Sequence, residues 1–217
     1  MNWLSMRFEL SRGGDRHNVR PMEGLRGFAV FLVFLVHYAS LIKPWIIGNA
    51  DLLTFSEKIH WMGGAGVDLF FVLSGYLIYG SLIETPQSFV KFMQRRVQRI
   101  YPAFITVFLI YITLSFAFPE ESKIPANILD GSIYLIQNIL LLPGLFPIEA
   151  MITVAWSLSY EMFYYLLIPI IIATFGLRKR TSTWRIYFFV TIASTFTLFC
   201  SFFGGPVLLV MFISGIL

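Results

Sequence analysis

The sequence predicts an all-α protein, a polytopic transmembrane helix bundle of about six to seven hydrophobic segments, one of them re-entrant. Three observations lead there. Only 13% of the 217 residues are charged and 57% are hydrophobic, whereas a soluble domain carries about 25% charged residues. Mean hydropathy is +0.75. Apolar stretches long enough to cross a bilayer recur along the chain, and lysines and arginines gather in short clusters between them, which is how membrane topology is encoded. The net charge of +4 therefore belongs to topology and gives no reason to expect a nucleic-acid partner. Cys200 is the lone cysteine, so an intrachain disulfide and a cysteine-based zinc cluster are excluded. It reads as a small packed hydrophobe. No other grouping of ligands calls for a metal.

Residues 1–23 form a polar segment that precedes the first span and is expected to be cytoplasmic. It is long and polar for a secretory signal, so the first apolar run reads as a retained span. Span one covers 24–42 and is closed by Lys43-Pro44-Trp45. A mixed loop, 48–62, follows. Span two covers 65–83, and Gly63-Gly64-Ala65-Gly66 at its start is small enough for close helix approach. A basic segment, 91–99, separates it from span three, 100–118, with Pro102 in the first turn, where proline is tolerated. An acidic loop, 119–130, comes next. Segment 128–146 is apolar but contains Asp130, Gln137, Asn138, Pro143, Gly144 and Pro147. Span five covers 154–177 and span six 186–203, stopped by Gly204-Gly205-Pro206. Residues 207–217 begin a further span, too short to cross.

Charge decides orientation. Arg7, Arg12, Arg16 and Arg20 precede span one. Lys91, Arg95, Arg96 and Arg99 lie between spans two and three, and Arg178, Lys179, Arg180 and Arg185 between five and six. All three groups are expected on the cytoplasmic side of the inner membrane. The third lands there only if segment 128–146 does not cross, and its prolines and polar residues suit a re-entrant or interfacial segment on the outer side.

Ionisable groups inside such spans are costly and usually mark a path or a reaction centre. Arg26 and His37 are eleven positions apart in span one, about 16 Å along a helix axis. With this topology His37, Asp68 and Glu161 share a similar depth in the outer half, on three helices. Ser157 and Glu161 are four apart and face one side. Arg26, Arg95, Arg96 and Arg99 gather at the cytoplasmic face, where guanidinium groups suit the phosphates of a donor. A donor with a long thin arm threads its reactive end to His37, whose near-neutral pKa suits general-base work. A neighbouring carboxylate orients the imidazole. Each residue also has an ordinary reading. Arg26 and the 91–99 cluster serve as topology anchors, His37 as a packing histidine, Asp68 as a helix cap and Glu161 as a structural ion-pair partner. His17 and His60 lie in segments that read as soluble and are given no role.

Four blocks together resemble the acyltransferase-3 family of membrane acyltransferases. The first is Met22-Glu23-Gly24-Leu25-Arg26-Gly27-Phe28-Ala29 leading to His37. The second is Gly66-Val67-Asp68-Leu69-Phe70-Phe71-Val72-Leu73-Ser74-Gly75-Tyr76-Leu77-Ile78. The third runs from Phe92 through Arg95-Arg96 to Arg99-Ile100-Tyr101-Pro102, and the fourth is Trp156-Ser157-Leu158-Ser159-Tyr160-Glu161 with Phe163 and Tyr164. The resemblance covers roughly 20–177. It implies transfer of an acyl group, often acetyl, from acyl-CoA in the cytoplasm to a hydroxyl of a surface or exported carbohydrate. It also implies that Arg26 and His37 are the family's essential pair, Arg95 and Arg99 its cytoplasmic basic motif, and Ser157 and Glu161 its serine–glutamate motif. No permanently bound cofactor is expected, acyl-CoA being a donor substrate. Family members carry more spans, so 1–217 reads as a single, truncated acyltransferase-like domain. The rival readings are a proton-coupled secondary transporter, with His37, Asp68 and Glu161 as a relay, and an inactive scaffold of the same fold.

Overall fold

A computed structural model describes residues 20–203 and 208–217. The expectations for 1–19, His17 among them, and for the Gly204-Gly205-Pro206 stop lie outside the described residues. Among the described residues seven α-helices follow one another: α1 (Arg20–Ile46), α2 (Ala50–Glu84), α3 (Phe89–Ala117), α4 (Ile128–Ile139), α5 (Trp156–Thr174), α6 (Ser182–Phe203) and α7 (Leu208–Ser214). Among the described residues, five stretches are long and apolar enough to cross a membrane: Gly24–Ile46, Ala50–Glu84, Phe89–Ala117, Thr153–Thr174 and Ser182–Phe202. The helices fall into two compact units, Met1–Phe70 and Phe71–Leu217, with the boundary inside α2.

The first unit is a helical hairpin. Its close packing is written in small residues. A Cβ on Gly63 would stand 2.4 Å from Val36 Cγ2 and 2.7 Å from the Leu32 carbonyl oxygen, and one on Gly66 would stand 2.8 Å from the Ala29 oxygen. Only hydrogen fits there, as the glycine pattern predicts. Ser56 is buried, and its hydroxyl donates to the Ala39 carbonyl at 3.3 Å. Two expectations need correction. Helix α1 does not stop at Lys43-Pro44-Trp45 but carries Pro44 inside it to Ile46. The loop expected at 48–62 is the first part of α2. Asn49 Oδ1 accepts from the amides of Asp51 and Leu52, both at 3.1 Å, which satisfies two otherwise orphaned donors and starts the helix early. At 35 residues, α2 is about 52 Å long, against a hydrocarbon core of about 30 Å.

In the second unit Ser88 caps α3, its hydroxyl accepting from the Lys91 amide at 3.3 Å. The basic segment 91–99 is therefore the opening turns of a 29-residue helix rather than a connection. Pro102 sits well inside that helix, not in its first turn. Its missing N–H removes one intrahelical bond.

Segment 128–146 does not cross. Helix α4 has 12 residues, about 18 Å, too short for a span. Asn127 caps it through the Leu129 amide at 3.0 Å. Its far end reaches the level of Tyr101, whose hydroxyl donates to the Ile139 carbonyl at 3.0 Å. The chain then turns back through Leu141 and Gly144, both at positive φ. Buried Asn138 fastens the return. Its amide group donates to Tyr134 O at 3.0 Å and Glu149 O at 3.3 Å, and its oxygen accepts from the Met151 amide at 2.8 Å. Non-helical backbone within a membrane protein needs such partners. The outcome for topology is direct. The Arg178 guanidinium grips the Leu82 carbonyl through Nε at 3.0 Å and a terminal nitrogen at 2.8 Å. The end of α2 and the basic cluster after α5 therefore share one face, as a non-crossing 128–146 requires.

The rest of this unit packs on aromatic rings. Phe71 lies 6.1 Å from Trp156 and 6.0 Å from Tyr160. The Tyr164 and Phe212 rings stack at 3.7 Å, and the Tyr164 hydroxyl donates to the Leu209 carbonyl. A Cβ on Gly75 would fall 2.0 Å from the Phe212 oxygen, and one on Gly215 1.9 Å from the Val72 oxygen. Gly75, in the second of the four blocks, is thus where the chain around α7 meets α2 backbone to backbone.

Candidate active site

The expected site residues divide between the two units. Arg26, His37 and Asp68 belong to the first. Arg95, Arg96, Arg99, Ser157 and Glu161 belong to the second.

Within the first unit, Arg26 and His37 both lie on α1. Eleven residues amount to about three full turns plus 20° at 3.6 residues per turn, so the two side chains leave the helix on nearly the same face. The packed face of α1, marked by Ala29, Leu32 and Val36, lies to one side of that line. This spacing lets a guanidinium and an imidazole address one elongated molecule along a helix. The Arg26 guanidinium sits over the Phe70 ring, 5.8 Å from its centre, a cation–π arrangement that helps to fix its position. His37 is exposed and Asp68 half-buried.

In the second unit the carboxylate is fixed. Glu161 is 6% exposed and accepts a hydrogen bond from the Tyr165 hydroxyl, one helical turn along α5. The Tyr165 ring packs edge-on against Phe92 at 5.9 Å. The Arg96 guanidinium lies 5.0 Å from the Tyr165 ring centre and 5.1 Å from that of Phe92. Glu161 is therefore joined to the basic segment by one tyrosine. It does not stand apart from that segment in another half of the membrane, as expected. The reason is that the basic segment is helical, so α3 carries Arg96 alongside the middle of α5.

Arg95 and Arg99 are exposed on α3, while Arg96 is half-buried among rings. The cluster thus holds two groups open to an anionic ligand and one committed to packing. Ser157 donates to the Val154 carbonyl at 3.1 Å and makes no bond to Glu161. Sequence reasoning missed Tyr165. Its spacing of four from Glu161 was a usable signal, hidden by its place in an aromatic run. It also passed over His60. That ring belongs to α2 and stands 3.3 Å from the Ser40 hydroxyl. No group of three or more His, Cys, Asp or Glu side chains able to hold a metal occurs among the described residues.

Comparison with known proteins identifies the family. The acyltransferase-3 model, described as an acyltransferase domain, matches residues 21–217. The acyltransferase MdmB of Streptomyces mycarofaciens is 31% identical over 153 residues, covering 69% of this chain and 38% of that protein. The O-acetyltransferase OatA of Staphylococcus aureus is 30% identical over 171 residues, covering 73% of this chain and 25% of that protein. An uncharacterized protein of Haemophilus influenzae is 32% identical over 149 residues, covering 63% of this chain and 60% of that protein. The chain thus spans less than two thirds of the length of each of these relatives. No solved structure matches it. With a family match across nearly its whole length and relatives at about this identity, the chain belongs to the acyltransferase-3 family of membrane proteins.

Proposed function

We propose that the chain carries out O-acyl transfer, moving an acyl group, acetyl in the simplest case, from acyl-CoA to a hydroxyl of a carbohydrate or other exported acceptor. The observation that carries this reading is the shared face of Arg26 and His37 on α1, about 16 Å apart. A coenzyme A arm of roughly 15–20 Å bridges that distance. Arg26, Arg95 and Arg99 hold the donor's phosphates by paired hydrogen bonds, and Arg96 keeps Tyr165 in position. The names of the relatives, an acyltransferase and an O-acetyltransferase, favour the same chemistry. In this reading the N-terminus is cytoplasmic and the membrane is the plasma membrane.

The step is an acyl exchange between two heteroatoms. The His37 imidazole takes the proton of the acceptor hydroxyl as its oxygen bonds to the thioester carbon. The C–S bond then breaks, and the departing thiolate takes the proton back from the imidazolium. Asp68, in the same unit as His37, orients and stabilises the charged ring. Holding two substrates in line supplies much of the rate. Radiolabelled acetyl-CoA, given to the purified chain in lipid nanodiscs with an extract of surface carbohydrate, should label the acceptor in the wild type and not in His37→Ala. Equal labelling by both proteins removes the histidine from the mechanism. Substrate counterflow without thioester use would replace transfer by transport.

A further inference from the structure

A cavity in the second unit takes no part in the mechanism above. Its volume is about 330 Å³, room for about ten water molecules at about 30 Å³ each. Three element ends close it. Leu82 is near the end of α2, Phe89 opens α3, and Pro169 and Ile172 belong to the last turns of α5. Three of the apolar stretches thus start or stop at its rim, at Glu84, Phe89 and Thr174. In a bilayer that is the depth of the lipid headgroups. Beyond α5, Gly176 stands at a φ of 59°, in the left-handed region that glycine favours. Buried Leu177 pins the turn that follows, and that turn brings Arg178 and Lys179 to the cavity.

The wall has two characters. Leu82, Phe89, Pro169 and Ile172 make it apolar on one side, while Gln87, Arg178 and Lys179 make it polar on the other. No carboxylate lines it, and neither cation forms an ion pair among the described residues. Arg178 gives Nε and one terminal nitrogen to the Leu82 carbonyl. That acceptor is neutral, so the charge is not cancelled, and the other terminal nitrogen keeps its donors. Neighbouring Arg180 is occupied elsewhere, 4.9 Å from the centre of the Trp184 ring. Gln87 Oε1 is buried and has no hydrogen-bond partner among the described residues, and leaving a buried acceptor unmet is costly. One molecule that answers all of this carries a negative charge, a hydroxyl donor and an apolar stem. A soluble phosphate supplies the charge and has no use for the apolar wall.

We propose that this cavity binds an anionic phospholipid with a hydroxyl-bearing headgroup. The phosphate meets Arg178 and Lys179, a headgroup hydroxyl donates to Gln87 Oε1, and the start of the tails lies against Leu82, Phe89 and Ile172. Basic pockets between spans hold anionic headgroups in this way. The test is native mass spectrometry of the full chain in detergent micelles, titrated with phosphatidylglycerol, phosphatidylmethanol and phosphatidylcholine. Phosphatidylglycerol should bind in preference to phosphatidylcholine, and its affinity should fall about tenfold in Lys179→Gln, the loss of one charge-assisted hydrogen bond. Gln87→Leu should weaken phosphatidylglycerol several-fold and spare phosphatidylmethanol, which has the same charge and no headgroup hydroxyl. Lys179 is exposed, so K179Q keeps the test valid should Q87L fail to fold. Equal affinity for phosphatidylcholine, unchanged phosphatidylglycerol binding in K179Q, or an equal fall for both anionic lipids in Q87L each overturns the proposal. Displacement of the bound lipid by inorganic phosphate or by coenzyme A also overturns it, by giving the cavity to a soluble anion. None of these outcomes depends on acyl transfer.

Discussion

The two units hold their ionisable groups in opposite ways. In the hairpin, His37 is exposed and Asp68 only half-buried, on helices that touch through glycines. In the larger unit, Glu161 is buried and bonded to Tyr165, whose ring is bordered by Phe92 and Arg96. The difference separates two demands. A base that meets incoming molecules must be open to them. A carboxylate in an apolar bundle must have its charge satisfied, because unpaired burial is costly. One unit presents its histidine and the other stores its carboxylate.

The contrast is tested most strongly at His37. His37→Ala should lower transfer by about 100- to 10,000-fold, the usual worth of a general base, without altering the melting temperature, because the exposed ring stabilises little. A lower melting temperature at unchanged activity would reverse the division. Gly75→Val should act through packing instead. Its first carbon would meet the Phe212 oxygen, and forced overpacking costs about 1–3 kcal/mol. Thermal unfolding in micelles checks this, and wild-type stability would mean that α7 is not held at Gly75. A comparable effect is expected at Tyr165→Phe, which removes the donor to Glu161 and costs about 1–3 kcal/mol. The same unfolding measurement should also show Glu161→Gln/Tyr165→Phe to be less destabilised than the sum of its parts. Strict additivity would show that the two side chains are not coupled. Smallest in stability are Arg95→Gln and Arg99→Gln, which should stay within about 0.5 kcal/mol of wild type while raising the KM for acetyl-CoA several-fold. An unchanged KM would remove these arginines from donor binding.

Much of the fold was legible because hydrophobic length and charge placement are strong signals. The conflict of the 178–185 cluster with simple alternation predicted that 128–146 does not cross, and the Arg178–Leu82 bond agrees. The glycines at 63 and 66 predicted close approach for a steric reason that the sequence shows plainly. Other features were not legible. The start of α2 looked like a loop because Asp51, Ser56, Glu57, Lys58 and His60 break the apolar run, and a helix partly outside lipid has no need of one. The basic segment 91–99 looked like a connection because charge was weighed above the Ser88 cap. Arg96 was counted with its neighbours as a donor ligand, since nothing local distinguishes a guanidinium between two rings from one facing water. The partnership of Glu161 with Tyr165 depends on which aromatic of a run turns inward, and that is decided by α3.

The length of α2 has a consequence for where its turns can stand. At about 52 Å, against a greasy bilayer interior of about 30 Å, a helix standing upright carries some 20 Å beyond the fatty chains. That excess is where Asp51, Glu57 and Lys58, all exposed, keep their water.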